Sequence, residues 1–376
     1  MALITYLTRI QFDFGAVSLL PEELGLLGVR RPLIVTDKGV VRAGLVDRVR
    51  EAMRMPAAAI YDETPANPTE AAAEAALVLY RESGADGIVA VGGGSSMDLA
   101  KALALLATHA PPLRQYAMVE GGVARIKPNV APLVAIPTTA GTGSEVGRGA
   151  IIVFKDHRKL GVISPYLIPR VAICDPELTL GLPPGITAAT GLDALAHCIE
   201  TFLSPAINPP ADAIALDGGA RVVRYLERAV ANGGDREARW NMMMAAMEGA
   251  MAFQKGLGAV HAMSHPLGAI PGLNLHHGTL NAVVMPTVLR FNEHHVGDKY
   301  DRLRAALGLK PGTDLAAFIE EFNHRLGLPP NLGAMGVRRE HIPDLVTAAL
   351  ADHCAATNPR KMTAEDTEAL FLAALG

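Results

Sequence analysis

The sequence predicts an α/β half with a parallel sheet over residues 1–180, followed by an all-helical half over residues 181–376. Three observations lead there. Short apolar runs alternate with helically spaced segments over the first 180 residues, as strands joined by covering helices do. Two of those runs end in glycine-rich or hydroxyl-rich loops. After "LTLGLPPG" (178–185), where Pro and Gly interrupt the pattern, helical periodicity dominates.

In chain order, "MALITYLTRIQFDFG" is β-prone and reads as a strand or short hairpin. "RPLIVTD" (31–37) is a buried strand, and "VDRVREAM" has helical spacing. "AAAIYDE" is a further strand. "PTEAAAEAALVLYRESG" is an amphipathic helix with Pro at its start and Gly at its end. "DGIVAVGGG" is an apolar strand running into glycines, "SSMDLAKALALLAT" a helix, and "PLVAIPTTAGTGSE" a strand with a polar loop. "GVISPYLIPRVAICDPELT" contributes two more strand pieces. The second half brings long Ala/Met/Leu helices, including "GLDALAHCIE" (191–200); the Met run 242–244 suits core packing.

The 376 residues suit two domains. Mean hydropathy is +0.24, but the apolar residues are dispersed. No run approaches the ~20 apolar residues of a membrane span, and the N-terminus lacks a signal-peptide pattern. A net charge of −4 without a basic stripe argues against nucleic acid. The three scattered cysteines form neither a CxxC pair nor a disulfide framework, which points to a reduced cytoplasm. Cys198 reads as a packed core thiol.

"VGGGSSMD" (91–98) lies between a strand and a helix. Its glycines permit close backbone approach, and the helix N-terminus offers free N–H groups to a pyrophosphate. It has neither GxGxxG spacing nor a P-loop lysine, and a serine-capped turn is the plainer alternative. "PTTAGTGSE" (137–145) adds hydroxyls after the next strand, where open α/β sheets bind nucleotides.

Asp193 and His197 share a helix face at i, i+4, and that spacing alone is satisfied by an ordinary hydrogen-bonded pair. His261 and His265 repeat it in "VHAMSHPLG". "NLHHGTLNA" places His276 and His277 beyond a Pro-Gly turn, where a loop can fold back over a helix. Imidazoles in three largely apolar stretches need partners, and a divalent metal suits His with one Asp.

Taken together, "GGGSSMD", "PTTAGTGSEV", "DPELTLGLPPGITAATGLDALAHCIE", "VHAMSHPLGA" and "HHGTLNAVVMP" resemble the iron-containing, or group III, metal-dependent alcohol dehydrogenase family. The resemblance implies a dinucleotide-binding N-terminal domain, an all-helical metal-binding C-terminal domain and an active site in the cleft between them. It implies Asp193, His197, His261 and His277 as ligands of a divalent metal, Fe2+ or Zn2+. One carboxylate and three neutral imidazoles leave a 2+ ion a net charge of +1 and room for a substrate oxygen. His265 matches a histidine near nicotinamide and substrate, with a proton relay or support of the metal as competing roles. Asp37 matches an acid beside the adenosine ribose, favouring NAD over NADP; starting a turn before Gly39 is its alternative role. Asn67, Gly93, Gly94, Ser95, Asp98, Thr138, Thr139, Thr142, Ser144 and Lys159 complete the expected cofactor set.

The expected activity is hydride transfer between a small alcohol and NAD. An acidic hydroxy-acid, semialdehyde or maleylacetate-like substrate is the alternative, as is glycerol-dehydrogenase-like or dehydroquinate-synthase-like chemistry. A non-catalytic nucleotide sensor is the rival of another class. Departures from the family pattern cluster near the substrate: Gly147, Arg148 and Gly149, and His276 where proline is common. Arg148 is either a surface arginine or a salt-bridge partner of Glu145, or it attracts a carboxylate-bearing substrate. A homodimer or higher homo-oligomer is expected, through the β-prone N-terminal segment.

Overall fold

The structure, a computed structural model, describes residues 8–376; the first residues of the β-prone N-terminal segment lie outside that range. Among the described residues the chain forms two compact units, one of residues 8–139 and 143–182, the other of 140–142 and 183–376.

The first unit begins with β1 (Arg9–Phe12), α1 (Leu20–Leu26), β2 (Pro32–Val35), α2 (Lys38–Arg42), α3 (Leu45–Met53), β3 (Ala59–Tyr61) and α4 (Glu70–Glu82). It continues with β4 (Gly87–Gly92), α5 (Gly94–Leu106), β5 (Leu133–Pro137), β6 (Gly149–Val153), β7 (Lys159–Ile163) and β8 (Val171–Cys174). Six strands form one parallel sheet in the order β1-β8-β5-β4-β2-β3. Every residue of β2, β4, β5 and β8 is buried. Their near-continuous Val/Ile/Leu/Ala sequences reflect a sheet covered on both faces. Leu33, Ile88 and Leu133 pack into a cluster with α4 and α5, while Ile34, Val89 and Val134 face a cluster with α1 and α3.

The two strand pieces expected around residues 161–174 have different fates. β8 joins the parallel sheet, whereas β7 pairs antiparallel with β6 in a separate hairpin. Burial in β6 alternates residue by residue, which suits a two-stranded ribbon with one face covered.

The second unit is helical: α6 (Pro184–Leu203), α7 (Pro209–Ala231), α8 (Arg236–Ala252), α9 (Ala259–Leu267), α10 (His277–Asn292), α11 (Lys299–Ala306), α12 (Leu315–Arg325), α13 (Ile342–Ala351) and α14 (Ala364–Leu375). α6 is buried from Thr187 to Leu203, with α7, α8 and α10 packed around it. A helix buried on all sides must be apolar nearly throughout, and its few ionisable groups must be paired. Met242 and Met243 are core residues of α8, and Cys198 is buried.

Gly278, in the first turn of α10, fixes how closely that helix meets α6. A Cβ there would collide with the Ala189 backbone carbonyl and lie 3.2 Å from the Asp193 Cβ. Gly278→Ala must therefore push the helices apart. A loss of about 1–3 kcal/mol in stability, the usual scale of overpacking, is expected in denaturant titration.

Candidate metal and cofactor sites

In the parallel sheet, β2 connects outward to β3 on one side and β4 connects to β5 on the other, so the order reverses between β2 and β4. Setting β1 aside, the remaining strands run 2-1-3-4-5 in space, an order whose ligand crevice opens at that reversal, beyond the carboxyl ends of the strands. Register places Val35 beside Ala90 and Gly92 beside Pro137. The residues just past β2, β4 and β5 therefore collect at one edge: Asp37, then Gly93, Gly94 and Ser95, then Thr138 and Thr139. This explains why the acid precedes the glycine loop: the loop follows β4, not the first strand of the nucleotide unit.

Gly92 has φ +152, and a Cβ on it would lie 2.6 Å from Ser96 Oγ and 3.5 Å from Asp37 Oδ2. Only glycine keeps the acid and the α5 N-terminus that close. Gly93 lies beneath Thr139, where an added Cβ would sit 3.2 Å from Oγ1. The Thr138 amide donates to the Gly92 carbonyl at 3.0 Å. Asp37 accepts from the Gly39 and Val40 amides at 2.7 and 3.0 Å, capping α2, and from Ser96 Oγ at 3.3 Å. The turn-starting role is thus realised while the carboxylate stays beside the loop. Ser95 donates to the Ala66 carbonyl, and Lys159 Nζ donates to Asn67 Oδ1 at 3.0 Å, so three of the expected residues meet around residues 66–67.

Asp98 and Ser144 form part of a buried network. Ser144 Oγ donates to Asp98 Oδ1 at 2.6 Å, and the Ile151 amide donates to Asp98 Oδ2 at 2.9 Å. Lys101 Nζ donates to Ser144 Oγ and the Gly149 carbonyl, both at 2.7 Å. Burial lowers the Lys101 pKa to about 8 against the pull of Asp98, and raises Glu145 to about 7. Glu145 is buried with Lys101 as its charged neighbour, whereas Arg148 is exposed. Thr142 belongs to residues 140–142, which group with the helical unit.

In that unit, three imidazole nitrogens converge on one carboxylate oxygen. Nε2 of His197, His261 and His277 lies 3.8, 3.8 and 3.6 Å from Asp193 Oδ1. Ligands about 2.1 Å from a tetrahedral metal would be about 3.4 Å apart, so these three distances to Asp193 Oδ1 are slightly wider than those of a tetrahedral shell. Asp193, His197 and His261 are buried, and His277 is about one-quarter exposed. Burial lowers His197 to about 4, which keeps it neutral and able to ligate. Burial alone would depress His261 too, but the hydrogen bond and charge of Glu200 outweigh it and raise the pKa. The donor set thus fits a divalent ion: imidazole nitrogens and a carboxylate that, among the described residues, has no buried Lys or Arg paired to it.

His277 opens α10 rather than lying in a folded-back loop; Pro271–Gly272 turns earlier, and the exposed His276 sits at the helix N-cap. The reason is packing: Gly278 lets this helix end rest on α6, a stiffer mount than a loop.

Three supporting residues escaped the sequence reading. Glu200, one turn beyond His197 on α6, accepts from His261 Nδ1 at 2.6 Å and from the Val260 amide at 2.6 Å. Its i+7 spacing from Asp193 was a usable signal. Asn281, at i+4 from His277, donates to Asp193 Oδ1 at 2.7 Å. Asp352 accepts from His265 Nδ1 at 2.8 Å, a pairing across 87 residues that no local spacing signals. His265 stacks on His277 with ring centroids 5.6 Å apart, so it adjoins the ligand set without belonging to it.

A nucleotide-type crevice in one unit and a buried His3Asp cluster in the other define a metal-dependent dehydrogenase class. Comparisons with known proteins give the same result. The model of iron-containing alcohol dehydrogenases matches residues 8–176, and the C-terminal model of that family matches residues 187–375. The chain belongs to the iron-containing alcohol dehydrogenase family. It is 58% identical over 373 residues to 4-hydroxybutyrate dehydrogenase of Cupriavidus necator, covering 97% of this chain and 98% of that one. It is 38% identical over 372 residues to lactaldehyde reductase of Escherichia coli K12, covering 96% of each. The crystal structure of a 1,3-propanediol oxidoreductase superposes with a TM-score of 0.93 at 34% identity, over 99% of this chain and 100% of that one. A sulfoacetaldehyde reductase from Bifidobacterium kashiwanohense, solved with NAD+, gives 0.90 at 28% identity, over 100% and 99%. The chain is thus an oxidoreductase acting on alcohols or the corresponding aldehydes. Among its described residues no helix is long and apolar enough to cross a membrane.

Glu200→Gln keeps the shape but weakens the hold on the His261 ring. Affinity for the metal should fall about 10–100-fold, the usual effect of losing a ligand's outer partner, as read by competition with a chelator.

Proposed function

We propose that this chain catalyses reversible, NAD-linked oxidation of a small primary alcohol on a divalent metal, and that its preferred substrate is an ω-hydroxy acid of the 4-hydroxybutyrate type. The convergence of three Nε2 atoms on Asp193 Oδ1 is the observation that carries the metal-dependent chemistry. Asp193, His197, His261 and His277 hold the ion, Fe2+ or Zn2+, since the N/O donor set suits both. When bound, the metal supplies Lewis acidity to the alcohol oxygen and the nicotinamide accepts hydride.

The chain's own residues do the rest. Glu200 fixes the His261 ring so that Nε2 faces Asp193. Asp352 holds the Nδ1 proton of His265 and leaves Nε2 as the acceptor that takes a proton from the substrate side. Ser95, Gly93 and Gly94 offer the α5 N-terminus to the pyrophosphate, with Thr138 and Thr139 beside it. Asp37, against Gly92, accepts from ribose hydroxyls and repels a 2′-phosphate, so NAD is preferred over NADP. Asn67 and Lys159 act as a pair on the cofactor side; Thr142, Ser144 and Asp98 shape the second loop.

The substrate class rests on the 58% identity to a 4-hydroxybutyrate dehydrogenase together with Arg148, an exposed cation just before β6. The edge position of β1 supports a homodimer assembled through the N-terminal segment. Three free cysteines fit a cytoplasmic setting.

NADH formation from 4-hydroxybutyrate should exceed that from 1-butanol at equal concentration. Arg148→Ala should lower kcat/KM for the hydroxy acid about 10- to 150-fold, the scale of about 1.5–3 kcal/mol for a charge-assisted hydrogen bond, and spare the neutral alcohol. Equal losses on both would remove Arg148 from charge recognition.

A further inference from the structure

The helical unit carries a second group of metal-ligating side chains that the reaction does not require as ligands. His265 on α9 and Asp352 and Cys354, just past α13, each offer a donor atom, all within 4.8 Å of one another and all on side chains at most 9% exposed. Asp352 Oδ2 lies 2.8 Å from His265 Nδ1, and the Cys354 amide donates to Asp352 Oδ1 at 2.8 Å. His353 flanks the group, its Nε2 3.5 Å from Cys354 Sγ and its Nδ1 3.5 Å from Asp352 Oδ1. The three donors come from two segments that pack together, so their spacing belongs to the fold and not to one flexible loop.

We infer that His265 Nδ1, Asp352 and Cys354 form a second, inhibitory site for a thiophilic divalent cation such as Zn2+. The donor chemistry separates it from the Asp193 cluster. That cluster offers three nitrogens and one oxygen; this one offers nitrogen, oxygen and sulfur, the softer set that zinc and cobalt accept. Charge favours it as well. A 2+ ion with one carboxylate, one thiolate and a neutral imidazole is neutral overall, the easiest state to keep in a buried site. Burial holds the Cys354 thiol protonated in the free protein, and a metal deprotonates a coordinating thiol outright. One proton leaves per ion bound: the thiol proton goes to solvent, while the His265 ring proton moves from Nδ1 to Nε2. That shift turns Nε2 from an acceptor into a donor, and His265 can no longer take a proton on its substrate side. The inhibitory consequence rests on the proposed role of His265; the binding itself does not.

The test starts from holoenzyme carrying one equivalent of Fe2+ and adds Zn2+ alone. A second metal equivalent should bind with iron retained, and activity should fall as it binds. Zinc that enters only as iron leaves would overturn the second site. Repeating the titration with Co2+ should give a near-ultraviolet thiolate-to-cobalt charge-transfer band on the second equivalent, which a His3Asp site cannot produce. Cys354→Ser and Cys354→Ala should keep basal activity, lose the band and bind the second Zn2+ more than about 10-fold more weakly. Unchanged affinity in both variants would overturn the proposal. Tight second-site binding without inhibition would leave the site standing and remove the role given to His265 Nε2.

Discussion

One buried oxygen, Asp193 Oδ1, constrains most of the helical unit. A carboxylate in the middle of a helix buried on every side is tolerated only with compensation. Among the described residues no buried Lys or Arg is paired with it; three imidazoles and an amide surround it. Such a shell stabilises the carboxylate weakly by itself and strongly through a shared cation. The packing follows from that need. α6 presents Asp193 and His197, α9 presents His261, and α10 must approach closely enough to present His277, which Gly278 permits. Glu200, in turn, ties α9 to α6 through the ring it orients.

The α/β unit solves a different problem. Its crevice comes from strand order, and no single motif defines it. Because β2 and β4 are neighbours that lead in opposite directions, their ends leave a gap in which backbone N–H groups at the α5 N-terminus can face an anion. Asp98, Lys101 and Ser144 then brace the loop after β5 against α5 and the β6–β7 hairpin with buried hydrogen bonds. Pairing compensates each buried charge there, so the loop is held by a network that loses more from one missing member than from a uniform apolar replacement.

Much of this was legible in the sequence. Alternating apolar runs and helical spacing identified the parallel sheet and the helical second half, because burial on both faces of a sheet and all around a helix writes itself into local composition. The i, i+4 spacings of Asp193/His197 and His261/His265 correctly placed pairs on shared helix faces. The assignment of β7 to a separate hairpin was not legible, since an apolar run does not record its partner. Nor was His277 on a helix start, which depends on Gly278 meeting Ala189 from another helix. Asp352 was invisible for the same reason: its contact with His265 spans 87 residues and depends on tertiary packing alone.

The central claim, that the Asp193 cluster holds the metal on which alcohol oxidation depends, has a direct measurement. The protein is stripped of metal with a chelator under anaerobic conditions and titrated with Fe2+, and NADH formation is followed against bound metal per chain. Activity should be absent at zero metal and rise in proportion to occupancy up to one equivalent. Substantial turnover by the metal-free protein would contradict the claim.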